Sequence, residues 1–135
     1  MADLQTTIKF TGTLQSYTNA GGNAVMPDPT SLEFIAQTRV ERQVFNIPGT
    51  NGVKSFVPAN EGFVGVDLLK IEVLNLNKSL RLKFNGDPTG VVIKPVQPTG
   101  KAFFIATAAF NTVEMINEDA STIQVMVSAY EKYNG

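Results

Sequence analysis

Leu68-Leu69-Lys70-Ile71-Glu72-Val73 and, after a short polar break, Leu80-Arg81-Leu82-Lys83-Phe84 form the stretch on which the fold turns. Leu69, Ile71 and Val73 share one side of a two-residue period, and Lys70 and Glu72 share the other. Leu80, Leu82 and Phe84 oppose Arg81 and Lys83 in the same way. That period belongs to an extended chain with one face buried. A turn centred on Asn77-Lys78 would pair Val73 with Leu82, Ile71 with Phe84 and Glu72 with Lys83. Apolar then meets apolar and opposite charges meet, so pattern and turn agree on an antiparallel hairpin.

The same period recurs at both ends of the chain. Leu4, Thr6, Ile8, Phe10 and Gly12 alternate with Gln5, Thr7, Lys9 and Thr11. Ile123, Val125, Val127 and Ala129 alternate with Thr122, Gln124, Met126 and Ser128. Leu32 to Phe45 admits two readings. Ala36, Val40 and Val44 have helical spacing, whereas Gln37, Arg39, Glu41 and Gln43 alternate as an exposed strand face. Thr38, Val40, Val44 and Phe45 suit a pleated surface and favour strand. Shorter strands are expected at Val91 to Val96, Ala102 to Thr107 and Asn111 to Ile116. Asn85-Gly86-Asp87-Pro88 and Gln97-Pro98-Thr99-Gly100 read as turns between them. Two stretches rich in Pro, Gly and Asn, at 17–31 and 46–62, read as long loops, the second broken by a short strand at Val53 to Val57. About eight or nine short strands without long helices predict an all-β fold, an antiparallel β-sandwich or barrel. A jelly roll of about eight strands is the leading version. Residues 1–135 are then one sandwich domain, in the commonest size range for one, and folding buries roughly 68% of the unfolded surface.

Composition narrows function by exclusion. The chain has neither histidine nor cysteine. Ser-His and Cys-His nucleophile pairs, disulfides and ordinary zinc sites are therefore excluded. A net charge of −1 argues against a nucleic-acid binder, which needs clustered cations to displace phosphate counterions. No apolar run approaches the ~20 residues of a membrane helix. The N-terminal residues lack a basic segment followed by an apolar one, so a cytoplasmic site of synthesis is expected.

What remains for chemistry is carboxylate and oxygen-ligand work. Glu61, Asp67, Glu72, Glu114, Glu118 and Asp119 are scattered, in no pattern that sets a glycosidase pair. Asn117-Glu118-Asp119 lacks the spacing of a calcium loop and reads as a polar turn. The Gly-rich pieces have no Lys-Ser/Thr and no helix to receive a phosphate. Catalytic, cofactor and metal residues are accordingly expected to be none. The apolar residues in and beside the two loops are more informative: Val25, Met26, Pro27, Phe45, Ile47, Phe56, Val57 and Phe63. Such residues either form a contact surface for a partner or fold back to cap the sandwich, and both readings stand.

The strands from Leu68 to Leu76 and Leu80 to Gly86, the segment Phe103 to Asn117 and the closing strand Ala120 to Ala129 resemble, in cadence, the closing strands of small structural proteins of tailed bacteriophages. These include capsid decoration and head-associated β-sandwich proteins. The resemblance covers about Leu68 to Tyr130. It implies a non-enzymatic virion protein made in the host cytoplasm. Its partners would be copies of itself, a trimer favoured, and other virion proteins such as the major capsid protein, with no nucleic acid and no membrane. The alternative from the same fold is a carbohydrate-binding or receptor-binding module. A chelator is expected to leave the melting temperature unchanged. A fall of several degrees, reversed by calcium, would instead reveal a ligand set at Asn117 to Asp119.

Overall fold

Wherever apolar residues recur at every second position, the chain is extended. The computed structural model describes residues 6–14 and 28–134. Among these are nine strands: β1 Thr6–Leu14, β2 Asp28–Ile47, β3 Gly52–Phe56, β4 Leu68–Val73, β5 Leu80–Phe84, β6 Val91–Ile93, β7 Ala102–Ala106, β8 Val113–Asn117 and β9 Ile123–Lys132. One turn of 3-10 helix spans Pro58–Glu61. The helical spacing in 32–45 loses to the strand reading, and β2 is longer than expected because residues 28–31 pair with β1. The rest of the first expected loop lies outside the described residues.

The strands form a five-stranded sheet of order β1-β2-β9-β4-β7 and a four-stranded sheet of order β3-β8-β5-β6. Four antiparallel pairs are nested: β2 with β9, β3 with β8, β4 with β7 and β5 with β6. This is one long hairpin of eight strands rolled up. The pairs β4–β9 and β5–β8 then close the two sheets. The result is a jelly-roll sandwich, with β1 added on the edge of β2 as a ninth strand.

This topology corrects the expected hairpin. β4 and β5 each carry one buried face, but they lie in different sheets. Leu69, Ile71 and Val73 meet the interior from one side and Leu80 and Leu82 from the other, all of them in one core. Alternation fixes which face is inward and leaves the neighbour undetermined. Ile71 pairs with Phe104 and Val127, and Leu82 with Met115 and Val91. The expected cross-strand ion pair dissolves too. Glu72 sits 3.4 Å from Lys70 on its own strand, while Lys83 lies opposite Glu114.

Ile47, Leu69, Ile71, Leu80, Leu82, Met115, Val113, Ile123, Val125 and Val127 are fully buried between the sheets. At one side the phenylalanines link up. Phe56 contacts Phe63 edge-on at 6.5 Å and Phe110 at 6.5 Å, and Phe84 lies 5.5 Å from both Phe104 and Phe110. Gly49 allows the β2–β3 loop to press on the β8–β9 loop, because a methyl group there would land on the Ala120 carbonyl. Thr50 and Asn51 N–H then donate to the Asp119 and Asn117 carbonyls. Removing the ring at Phe56→Ala should cost about 3–5 kcal/mol, measured by urea unfolding. A loss below about 1 kcal/mol would mean that the ring does not fill this core.

Candidate interaction surfaces

The residues expected to contact a partner divide sharply. Ile47, Phe56 and Phe63 are buried in the chain's own core, so the surface expected of them is taken up by the fold. Phe45 is half-buried against that core, with the Lys54 ammonium 5.6 Å from its ring centre. Val57 is half-buried where the 3-10 turn begins. Val25, Met26 and Pro27 lie outside the described residues. Of the two readings weighed for the 46–62 segment, the cap over the sandwich is the one its large side chains follow. β3 turns the segment into an edge strand, and Phe56 and Phe63 point inward.

The carboxylates are engaged in local structure. Asp119 accepts from Ser121 Oγ at 2.7 Å, Lys78 Nζ at 3.0 Å and Ser121 N–H at 3.1 Å. These hydrogen bonds, Ser121's hydroxyl first, hold its carboxyl well below the usual range. Glu118 pairs with Arg81 at 3.1 Å, and Asp67 Oδ2 accepts from Lys132 N–H at 2.6 Å. Asn117, in the expected polar turn, is fully buried. Its side-chain amide donates to the Ile47 and Ser121 carbonyls at 3.0 and 2.8 Å, which ties β2 to the β8–β9 loop. No group of three or more metal-ligating side chains converges among the described residues.

Glu131 was missed by the sequence reading. It is 3% exposed, and its Oε2 accepts from Gly65 N–H at 2.6 Å and Val64 N–H at 3.0 Å. The carboxylate thus holds the loop before β4 onto the end of β9. Burial pushes its carboxyl up, but the Gln37 and Thr38 side chains and the two backbone N–H groups outweigh that and leave it below the ordinary value. Oε1 keeps no fully formed hydrogen bond among the described residues. The signal was present, since carrying the alternation of Val125, Val127 and Ala129 one step further puts residue 131 on the inner face.

The outer faces of the two sheets differ in kind. On the four-stranded sheet, Arg81, Lys83 and Glu114 line the surface around Ile116 and Val53. On the five-stranded sheet the outward apolar residues, interrupted on β4 by the Lys70–Glu72 ion pair, form two regions. In the first, β1 and the start of β2 make a ribbon that folds over the sheet. Phe34, Ala36 and Leu68 are buried there, with Ile8, Phe10, Leu32, Ile105 and Tyr130 packed around them. A cleft of about 350 Å³ remains between ribbon and sheet, with Lys9, Arg42 and Lys70 among its lining. In the second region the register runs Val44, Met126, Glu72, Phe103 across four strands. Val44 is 47% and Phe103 57% exposed, and Leu74 beside β4 is also exposed.

The ribbon owes its bend to two irregularities in β2. Gln37 has no partner between the pairs Ala36–Lys132 and Thr38–Glu131. Glu41 and Arg42 together oppose Ser128. Arg42 has φ of 49°, and its N–H donates to Ser128 Oγ at 3.0 Å. An extra residue on one strand bends it and increases its twist.

No family model, curated protein or solved structure matches the chain. No helix among the described residues is long and apolar enough to cross a membrane. The buried carboxylate yields a pH test. A carboxyl held below its unfolded value of 4.5 contributes stability that is full above that value and is lost as pH falls through the folded one. Glu131→Gln should lower stability by about 1–3 kcal/mol at neutral pH and lose less between pH 5 and pH 3 than the unaltered protein does. Parallel urea titrations compare the two, and identical acid limbs would remove Glu131 from this role.

Proposed function

We propose that this protein is a non-enzymatic structural component of a virion, a capsid decoration or head-associated protein that works by packing against other proteins. The observation that carries the reading is the group of apolar side chains Val44, Met126 and Phe103, interrupted only by Glu72 on β4, with Leu74 beside it, on the outer side of the larger sheet. Large apolar side chains grouped on one face mark a surface that is covered in use. Tyr and Phe at such a place supply much of the contact area that holds protein interfaces together. The partners that suit it are copies of the same chain and a capsid protein surface.

Two further observations support the virion setting. The strand cadence from Leu68 to Tyr130 resembles that of small tailed-phage structural proteins. A jelly roll is also an architecture used for capsid domains, although lectin domains share it. Fold by itself does not choose between them. The exposed Phe103 ring favours the second reading, a carbohydrate-binding or receptor-binding module, since sugars stack on such platforms.

Light scattering of the pure protein should show a multimer, with a trimer favoured. Val44→Glu combined with Phe103→Glu should shift it to monomer and leave the melting temperature nearly unchanged, because both side chains face solvent. A monomer at every concentration, or a double variant that assembles as before, would overturn the reading. Binding on a glycan array that is lost with Phe103→Ala would favour the alternative.

A further inference from the structure

We infer that the β1–β2 ribbon is an exchangeable arm, which in the assembled protein packs on the outer sheet face of a second copy of this chain. The inference rests on the packing function proposed above and names how the copies would be joined.

The ribbon is a separable piece of the fold. Toward its start β2 leaves β9 at Ala36, and from there nine register pairs, Thr6–Ala36 to Leu14–Asp28, hold it to β1. Its faces are divided as an arm requires. Ile8 lies opposite Phe34 and Phe10 opposite Leu32, all turned toward the sheet, while Lys9 lies opposite Glu33 on the other side. The contact with the body is made chiefly by side chains, against Leu68, Ile105 and Tyr130, with one backbone bond beside them, from Tyr133 N–H to the Ile35 carbonyl at 2.7 Å. Contacts of this kind are equally available on any other copy, because each copy carries both the arm and the face.

The base of the arm is built to bend. Both irregularities of β2 fall there, at Gln37 and at Glu41–Arg42, and Arg42 holds a left-handed backbone that a side chain disfavours. Val40, between the two irregularities, and Phe45 and Ile47, after both, anchor β2 in the main core. Rotation at Gln37 can therefore redirect the arm while Thr38 to Ile47 keep their pairing with β9 and the jelly roll, complete in β2–β9, stays undisturbed.

The second copy is identified by continuity. The face that the arm covers runs directly into the uncovered row, as Ile105 and Phe103 alternate along β7 and Ser128 and Met126 along β9. Closing the arm on its own body leaves Val44 and Phe103 in water. Passing it to a neighbour keeps every arm contact and brings a second body beside that row. A tethered arm finds its own face at an effective concentration of about a millimolar. At micromolar protein the added contacts between bodies must therefore offset about a thousandfold preference for closure.

The cysteine-free chain permits a direct test. Ile8→Cys and Ile105→Cys are made singly, the two chains are co-expressed with different tags, and the purified protein is treated with a short bismaleimide. Leu32→Cys with Tyr130→Cys, half-buried members of the same cluster, is the second pair should the first fail to fold. The expected result is a product joining the two tags and, from the chain carrying both cysteines, a ladder of dimers and higher multiples. Closure within single chains, in a protein that light scattering shows to be a multimer, would overturn the arm exchange and leave the packing function standing. Closure within single chains of a monomer would overturn both.

Discussion

The structure depends on β9 finding partners on both edges. It is hydrogen-bonded to β2 on one side and β4 on the other, and Ile123, Val125, Val127 and Ala129 are fully buried. Without β9, the β1–β2 ribbon and the β4–β7 pair are separate pieces with no common sheet. The core opposite, built on Leu82, Val113 and Met115, would then have half its cover. The strand that closes the sheet is the last one in the chain, and it reaches back some eighty residues to β2. Contacts of that sequence separation carry a large loop-closure entropy before they return any stabilisation. Such topologies fold slowly, in the millisecond-to-second range.

That same non-locality explains what could be read from the sequence. Each strand announced itself by its own alternation, so the class, the approximate strand count and the inward residues of β4, β5 and β9 were legible. Which strands lie side by side was not. Val73 and Leu82 look like hairpin partners because a short polar turn separates two runs of equal period. Yet an equally good partner face exists across the sandwich, and a six-residue connection reaches it. Consecutive strands are neighbours in roughly two cases of three, and a jelly roll consists largely of the remaining third. Residue identity cannot resolve this, because Ile, Val and Leu are apolar toward any neighbour.

For a related reason Ile47, Phe56 and Phe63, among the candidate surface residues, turn inward. Composition marks 46–62 as loop, through Pro48, Gly49, Asn51, Gly52 and Pro58, and apolar residues on a loop invite a partner. The open end of a sandwich, however, is itself an unsatisfied apolar surface, and the nearest cover is the chain that passes over it. Phe56 and Phe63 take that place with Phe110 and Phe84. The residues that do remain exposed sit at unremarkable strand positions. Val44 is one of three residues whose spacing admits a helix, and Phe103 stands directly before the core-packed Phe104. Only the sheet order shows that Val44, Met126 and Phe103 fall on one transverse row, and that the row lies on the outer side.

The two outer faces complete the argument. The smaller sheet carries Arg81, Lys83 and Glu114 on its outer face, and the larger one carries the Lys70–Glu72 ion pair. The larger sheet also supports a second apolar cluster around Phe34, Ala36 and Leu68, to which β1 contributes Ile8 and Phe10 and through which alone β1 joins the apolar packing. The ninth strand is thus unnecessary to the jelly roll and owes its place to the outer face. Because its cluster is separate from the main core, the ribbon can open at a lower free energy than the whole domain, as weakly coupled pieces of structure do. A small cluster on a strand with its own register irregularities, beside the exposed Val44 and Phe103, sets this face apart from the eight-stranded core.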